Sequence, residues 1–246
     1  MKKPGWLISI VLTLCALPLL EAQRSSCPQG FHTLYSKKAT TLDPAFTRPV
    51  RLTSPDGKKL LSVRIVEDSH DPDGLHISYR VRFAGKTRTT ELPGFNGEIA
   101  WSPDSKAFAV TQTEGGGGLG SRVYVFFVGE AGLTKLDVSE PIEKDFGNPV
   151  KCEPASIKPN TGFVRWGQDS SSLLAAAEIV NVSVCDCMGT YRVYEINLPA
   201  LTVRRAYSQT EAKKLFWTDL GCELRGADDR CVSIVEDYAR KRRDPR

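Results

Sequence analysis

Histidine and methionine are scarce, three and two in 246 residues. That leaves little for a histidine-rich metal centre or a methionine-lined groove. No Cys-x-x-Cys pair occurs, and no histidine lies near Cys185 and Cys187, which argues against a thiolate metal site. No Gly-x-Ser-x-Gly elbow is present, so a serine hydrolase of that type is excluded. The glycine-rich stretch 115–120 is followed by Ser121-Arg122 and then by apolar residues that read as a strand. A phosphate loop needs a lysine and a helix at that point, so nucleotide binding is rejected. Glycine and proline, at 20 and 15, are too few for a collagen-like chain. With 41% hydrophobic and 25% charged residues the chain is equally unlike a disordered one.

One apolar run stands out, from Trp6 to Leu20, preceded by Lys2 and Lys3 and followed by Glu21 and Ala22. Its 15 residues suit a secretory signal and fall short of the roughly 20 needed to span a bilayer. Cleavage near Ala22 is expected, with an uncleaved anchor as the alternative. The mature chain is then secreted or periplasmic.

Export gives the cysteines a meaning. Cys15 leaves with the signal, and Cys27, Cys152, Cys185, Cys187, Cys222 and Cys231 remain as disulfide candidates. Six cysteines allow 15 pairings. A Cys222–Cys231 bridge around the turn-forming stretch 225–229 is expected, with Cys152 a partner for Cys185 or Cys187.

The charge is local as well. Without residues 1–22 there are 31 basic against 28 acidic residues; the stretch 240–246 holds five of the former and one of the latter, leaving the body at −1. Such a body does not spread basic residues over a nucleic-acid-binding face. Residues 239–246 read as a disordered basic tail, able at most to make weak electrostatic contact with anionic surfaces.

Three segments repeat. Ser54-Pro55-Asp56-Gly57-Lys58, Trp101-Ser102-Pro103-Asp104-Ser105-Lys106 and Trp166-Gly167-Gln168-Asp169-Ser170 each follow a short apolar strand and form an aspartate-centred turn. Three β-rich runs follow each turn, bounded by glycine, proline, aspartate and asparagine. The aspartates lie 48 and then 65 residues apart, so the third unit carries an insertion over 140–161. Four strands beginning with apolar-Trp-Ser-Pro-Asp-small-Lys resemble a blade of the TolB-type and WD-type β-propeller repeats, over residues 50–207. The resemblance implies an all-β, β-propeller-like array of four-stranded antiparallel blades, forming a small or incomplete ring stabilised by disulfides. The expected organisation is a signal at 1–22, an N-terminal segment at 23–49, the propeller-like domain at 50–238 and the tail at 239–246. Strands at 31–35, 214–220 and 231–235 are expected to combine into a closing fourth blade; a distorted multi-sheet domain without a ring is the alternative. Trp101 and Trp166 hold matching positions, which favours packing between blades over a sugar platform.

The loops joining the second and third strands of each unit should emerge at one end. They carry Glu67, Asp68, His70, Asp71 and Asp73, then Glu114, then Asp186, and together form the candidate binding surface. Asp71, Asp73 and Gly74 do not make an EF-hand, because Arg80 falls where the bidentate glutamate belongs; looser calcium binding stays open. Asn181-Val182-Ser183 fits a glycosylation acceptor, though a bacterial export signal fits equally well. No catalytic residue, metal ligand or cofactor is assigned. The expected function is an exported, non-catalytic binding protein with a protein or envelope-polymer partner and no nucleic acid. An extracellular hydrolase or lyase with an acidic site on the same loops is the alternative.

Overall fold

The computed structural model describes residues 35–42, 49–67, 75–94, 96–113, 120–150, 158–180 and 185–244. The expected signal, Cys27, Cys152 and the acceptor at 181–183 lie outside them. After a short strand, β1 (Thr40–Leu42), the chain builds a first sheet in the order β2 (Val50–Thr53), β3 (Leu60–Glu67), β4 (Leu75–Phe83) and β5 (Lys86–Pro93). A second follows with β6 (Asn96–Trp101), β7 (Ala107–Thr113), β8 (Ser121–Val128) and β9 (Leu133–Asp137), and β1 pairs antiparallel with β6 on its free edge. After α1 (Ser139–Phe146) comes the third sheet, β10 (Asn160–Trp166), β11 (Ser172–Glu178), β12 (Tyr191–Asn197) and β13 (Thr202–Ser208). All pairings are antiparallel, and the fold is a propeller-like, all-β array.

The repeat is visible in the corners. Ser54 and Ser102 each donate a hydroxyl bond to the aspartate two residues on, at 2.5 and 2.7 Å, and that carboxylate accepts the amide of Lys58 or Lys106. In the third corner Asp169 accepts the amide and hydroxyl of Ser171. Gly57, Ser105 and Ser170 follow with φ of 71°, 63° and 61°, a left-handed conformation that glycine adopts freely. The two serines use their hydroxyls to join the corners. Asp56 N–H donates to Ser105 Oγ at 2.9 Å, and Asp104 N–H to Ser170 Oγ at 3.1 Å. Higher up, Trp101 and Trp166 each donate an indole N–H to a backbone carbonyl of the preceding sheet, Leu52 and Ala100, as packing between blades requires.

Side-chain periodicity orders the stack. β7 and β11 are buried at every position, so their sheets are covered on both faces. Ile99, Phe108 and Phe126 pack against Leu61, Val63 and Tyr79 of the first sheet. Ala109, Val123 and Val125 pack on Phe163, Leu173 and Ala175 of the third. In β4, Arg80 and Arg82 are exposed while Tyr79 and Val81, before and between them, are buried, so the first sheet has a solvent face.

Several expectations fail at the chain ends. Residues 214–220 and 231–235 are not strands, because the C-terminal region forms α2 (Gln209–Phe216), α3 (Cys222–Gly226) and α4 (Val232–Arg243). The start of α2 is a capping box: Ser208 accepts the Glu211 amide and the Glu211 carboxylate accepts the Ser208 amide. Ala212 and Phe216 of α2 and Leu224 of α3 then cover Leu174, Val193 and Tyr207 on the outer face of the third sheet. The basic stretch 240–243 is the last turn of α4 rather than part of a disordered tail, and Arg242 donates to the Lys144 carbonyl at the end of α1. No fourth blade forms among the described residues. The ends do meet, Ser36 bridging Leu220, but residues 35–37 run as a strap between the second and third sheets. The insertion supplies α1, fastened to the second sheet by Arg122, which pairs with Asp137 and Glu143 at 2.8 and 2.5 Å.

Tyr35 of the strap is fully buried, and its ring lies on Gly162 of β10, where a Cβ would fall 1.9 Å from the ring. Replacing Gly162 by Ala is expected to destabilise the fold by about 2–3 kcal/mol. Gly132→Ala, with open space around its Cα, should stay within about 0.5 kcal/mol. Urea denaturation of both variants checks this.

Candidate functional site

The last ladder pairs Glu67 with Leu75, Thr113 with Ser121 and Glu178 with Tyr191, so all three connecting loops leave from the end opposite the aspartate corners. Glu67 closes β3 at this end, while Asp68, His70, Asp71, Asp73 and Glu114 lie outside the described residues. Arg80 sits in the middle of β4, away from any loop. Asp186 is exposed in the turn that follows Cys185. Beside it Met188 is 43% exposed, and Leu75 at the first loop is 40% exposed. The loop end thus carries apolar as well as acidic groups.

The turn at 185–190 is stapled. Cys187 is bonded to Cys231, 44 residues on, with Cα atoms 5.5 Å apart. The expected Cys222–Cys231 bridge is therefore not formed; Cys222 starts α3 and Cys231 caps α4, so no hairpin lies between them. Cys185 and Cys222 are disulfide-bonded too. The stretch 225–229 is instead held by α2, since Gln209 donates to Asp228 and Asp229, and Lys213 to Ala227 and Asp229.

Beneath this end lies a polar seam that sequence reasoning missed. Both oxygens of Glu98 accept backbone amides of the strap, from Tyr35 at 2.9 Å and Ser36 at 3.1 Å. The Tyr35 hydroxyl donates to Glu178 Oε2 at 2.8 Å and shares a hydrogen bond with Ser121 at 3.3 Å. Ser36 donates to the Val164 carbonyl at 2.6 Å. Burial pushes Glu98 up to about 8 against the pull of the two amides. Burial, with Glu223 nearby, pushes Glu178 up to about 8 as well, and its Oε1 has no hydrogen-bond partner. Both carboxyls are sealed from solvent, 0% and 1% exposed. A carboxylate flanked by Gly97 and Ile99, or following Ala175-Ala176-Ala177, was the available signal: a charge inside an apolar run needs a buried partner.

Two basic depressions complete the inventory. A cleft of about 350 Å³ between α1, β13 and α4 is lined by Lys144, Asp145, Arg242 and Arg243 with Pro141 and Val203. A second lies on the open face of the first sheet. Among the described residues no three His, Cys, Asp or Glu gather as metal ligands, and no helix is long and apolar enough to cross a membrane.

No family model matches the chain, and no curated protein matches it either. Among solved structures it is similar to Pyrococcus horikoshii acylaminoacyl peptidase (orthorhombic crystal form), with a TM-score of 0.39 and 13% identity over 71% of this chain. The chain spans about a quarter, 26%, of that protein's length.

Two outcomes follow from the seam and the staple. A carboxyl whose folded pKa is raised stabilises the fold below its unfolded value near 4.5, and that contribution is lost as pH rises through about 8. Melting temperature should therefore fall between pH 5 and pH 8.5, and Glu178→Gln should flatten the decline; scanning calorimetry across that range reads both. Asp56, held well below the usual carboxylate range by the Ser54 hydroxyl and the Lys58 amide, acts only in acid outside this window. Cys231→Ser should cost roughly 2–4 kcal/mol by releasing a loop of this length, read by urea denaturation under non-reducing conditions.

Proposed function

We propose that the chain is an exported, non-catalytic binding protein built from TolB-type or WD-type repeats, using its loop end to hold a protein or an envelope polymer. The observation that carries this reading is the convergence of the three connecting loops at one end, with the third fastened by Cys187–Cys231 to α4. A fastened loop keeps its contact groups in place before binding, which lowers the ordering cost of association. Exposed Met188 beside acidic Asp186, with exposed Leu75 at the first loop, suits a protein contact with a polar rim. The carboxyls of the seam are shut away from any substrate, which supports a structural role for them.

A photo-crosslinking residue at position 188 should capture one defined partner in envelope extract. Joint replacement of Asp68, Asp71, Asp73 and Asp186 by Ala should cut that yield at least about tenfold. Should the folded quadruple variant instead lose a hydrolytic or lyase activity of the wild type, the binding reading is replaced by the enzymatic one. Amino-terminal sequencing of the exported protein is expected to begin near residue 23; a start at Met1 would contradict the cleaved signal.

A further inference from the structure

The solvent face of the first sheet carries an unusual set of charges. Register places Arg51, Ser62, Arg80 and Thr89 in one cross-strand row. Arg64, Ser78 and Glu91 form the row on one side, and Leu60, Arg82 and Thr87 the row on the other. His76 stands in the row beyond Ser78, opposite Val66 and Pro93. Arg51, Arg64, Arg80 and Arg82 are all exposed, and among the described residues no ion pair or hydrogen bond engages any of these guanidinium groups. Among the described residues, Glu91 is the acidic residue on this face. Four like charges gathered on one face raise the positive potential there, which favours an anionic occupant.

The face is also hollow. Ser62 and Ser78, small and set low, leave a depression of about 150 Å³ walled by Arg51, Arg64, Arg80 and Pro49. Arg51 and Arg80 face each other across β3, roughly 10 Å apart at the backbone, and Arg64 lies on the diagonal from Arg80 at roughly 7–8 Å. Planar guanidinium forks at these spacings match the oxygens of separate phosphate groups better than a single point charge would.

We propose that this basin binds a phosphorylated glycan, its phosphate monoesters held by Arg51, Arg64 and Arg80 and a hydroxyl by Ser62, with buried Ser78 forming the floor. Nucleic acid is a poorer occupant, because the face offers no phenyl, phenol or indole ring on which a base could stack. A membrane is poorer too, since the hollow is concave and no large apolar side chain projects from it. An acidic peptide would find no free backbone groups on β3 and β4, which are paired on both sides. The basin and the loop end are separate surfaces, so either can stand without the other.

Titration calorimetry with inositol hexakisphosphate tests the proposal. Binding is expected to weaken as salt rises from about 50 to about 300 mM. The double variant Arg51→Ser/Arg80→Ser should lose at least about tenfold in affinity. Arg51→Lys/Arg80→Lys, which keeps the charge and loses the fork, should fall between the two. Arg204→Ser, removing an exposed arginine paired with Glu195 on the third sheet, should bind as the wild type does. Inositol hexasulfate and hexaglutamate should each bind at least about tenfold more weakly than the phosphate. Unchanged affinity in the double serine variant overturns the proposal, as does an equal loss in Arg204→Ser. Equal affinity for the sulfate or the peptide does so too. A double serine variant that dimerises with its phosphate affinity intact would make these arginines guards against sheet stacking, and would likewise sink it.

Discussion

Tyr35 holds the second and third sheets in register. Its amide reaches one buried carboxyl and its hydroxyl another, on β6 and β11, while its ring takes the space that Gly162 leaves open. Removing one member of such a set leaves a buried polar group unpaired, which costs more than the bond itself is worth. The strap is thus a wedge that seals a seam between two blades. Ser121 at the start of β8 and Glu178 at the end of β11, which flank the second and third loops, are both tied to the Tyr35 hydroxyl.

The blades were legible because their corners are written in local chemistry. Serine, aspartate and a left-handed third residue need no tertiary help to declare a turn, and the apolar runs between them mark the strands. The Ser208–Glu211 capping box marks the start of the C-terminal helices in the sequence, whereas the apolar residues at 214–220 and 231–235 taken alone suit strands equally well. Cysteine pairing depends on the same elements: a bridge between Cys222 and Cys231 presumes a hairpin that the helices replace. The seam was harder to foresee. Glu98 and Glu178 sit in apolar runs, but their partner Tyr35 is 63 and 143 residues away.

The two ends of the array differ for one reason. The third sheet is apolar on its outer side and is covered by α2 and α3, whereas the first alternates and meets water. The alternation in Leu75–Phe83 and the polar character of Lys86–Pro93 record this in the sequence, where a closed ring would demand apolar residues on both faces. A terminal blade with a polar outer face is how stacked repeats end.

The bonds between corners run one way only. Each aspartate amide gives to the serine of the next corner, from Asp56 to Ser105 and from Asp104 to Ser170. Gly57 has no hydroxyl with which to receive from an earlier unit. Blades in this molecule are accordingly not interchangeable: the first can only give, the last can only take, and the middle does both. A duplicated central blade could be spliced into the relay without altering its polarity, whereas a second copy of the first blade would interrupt it at the glycine.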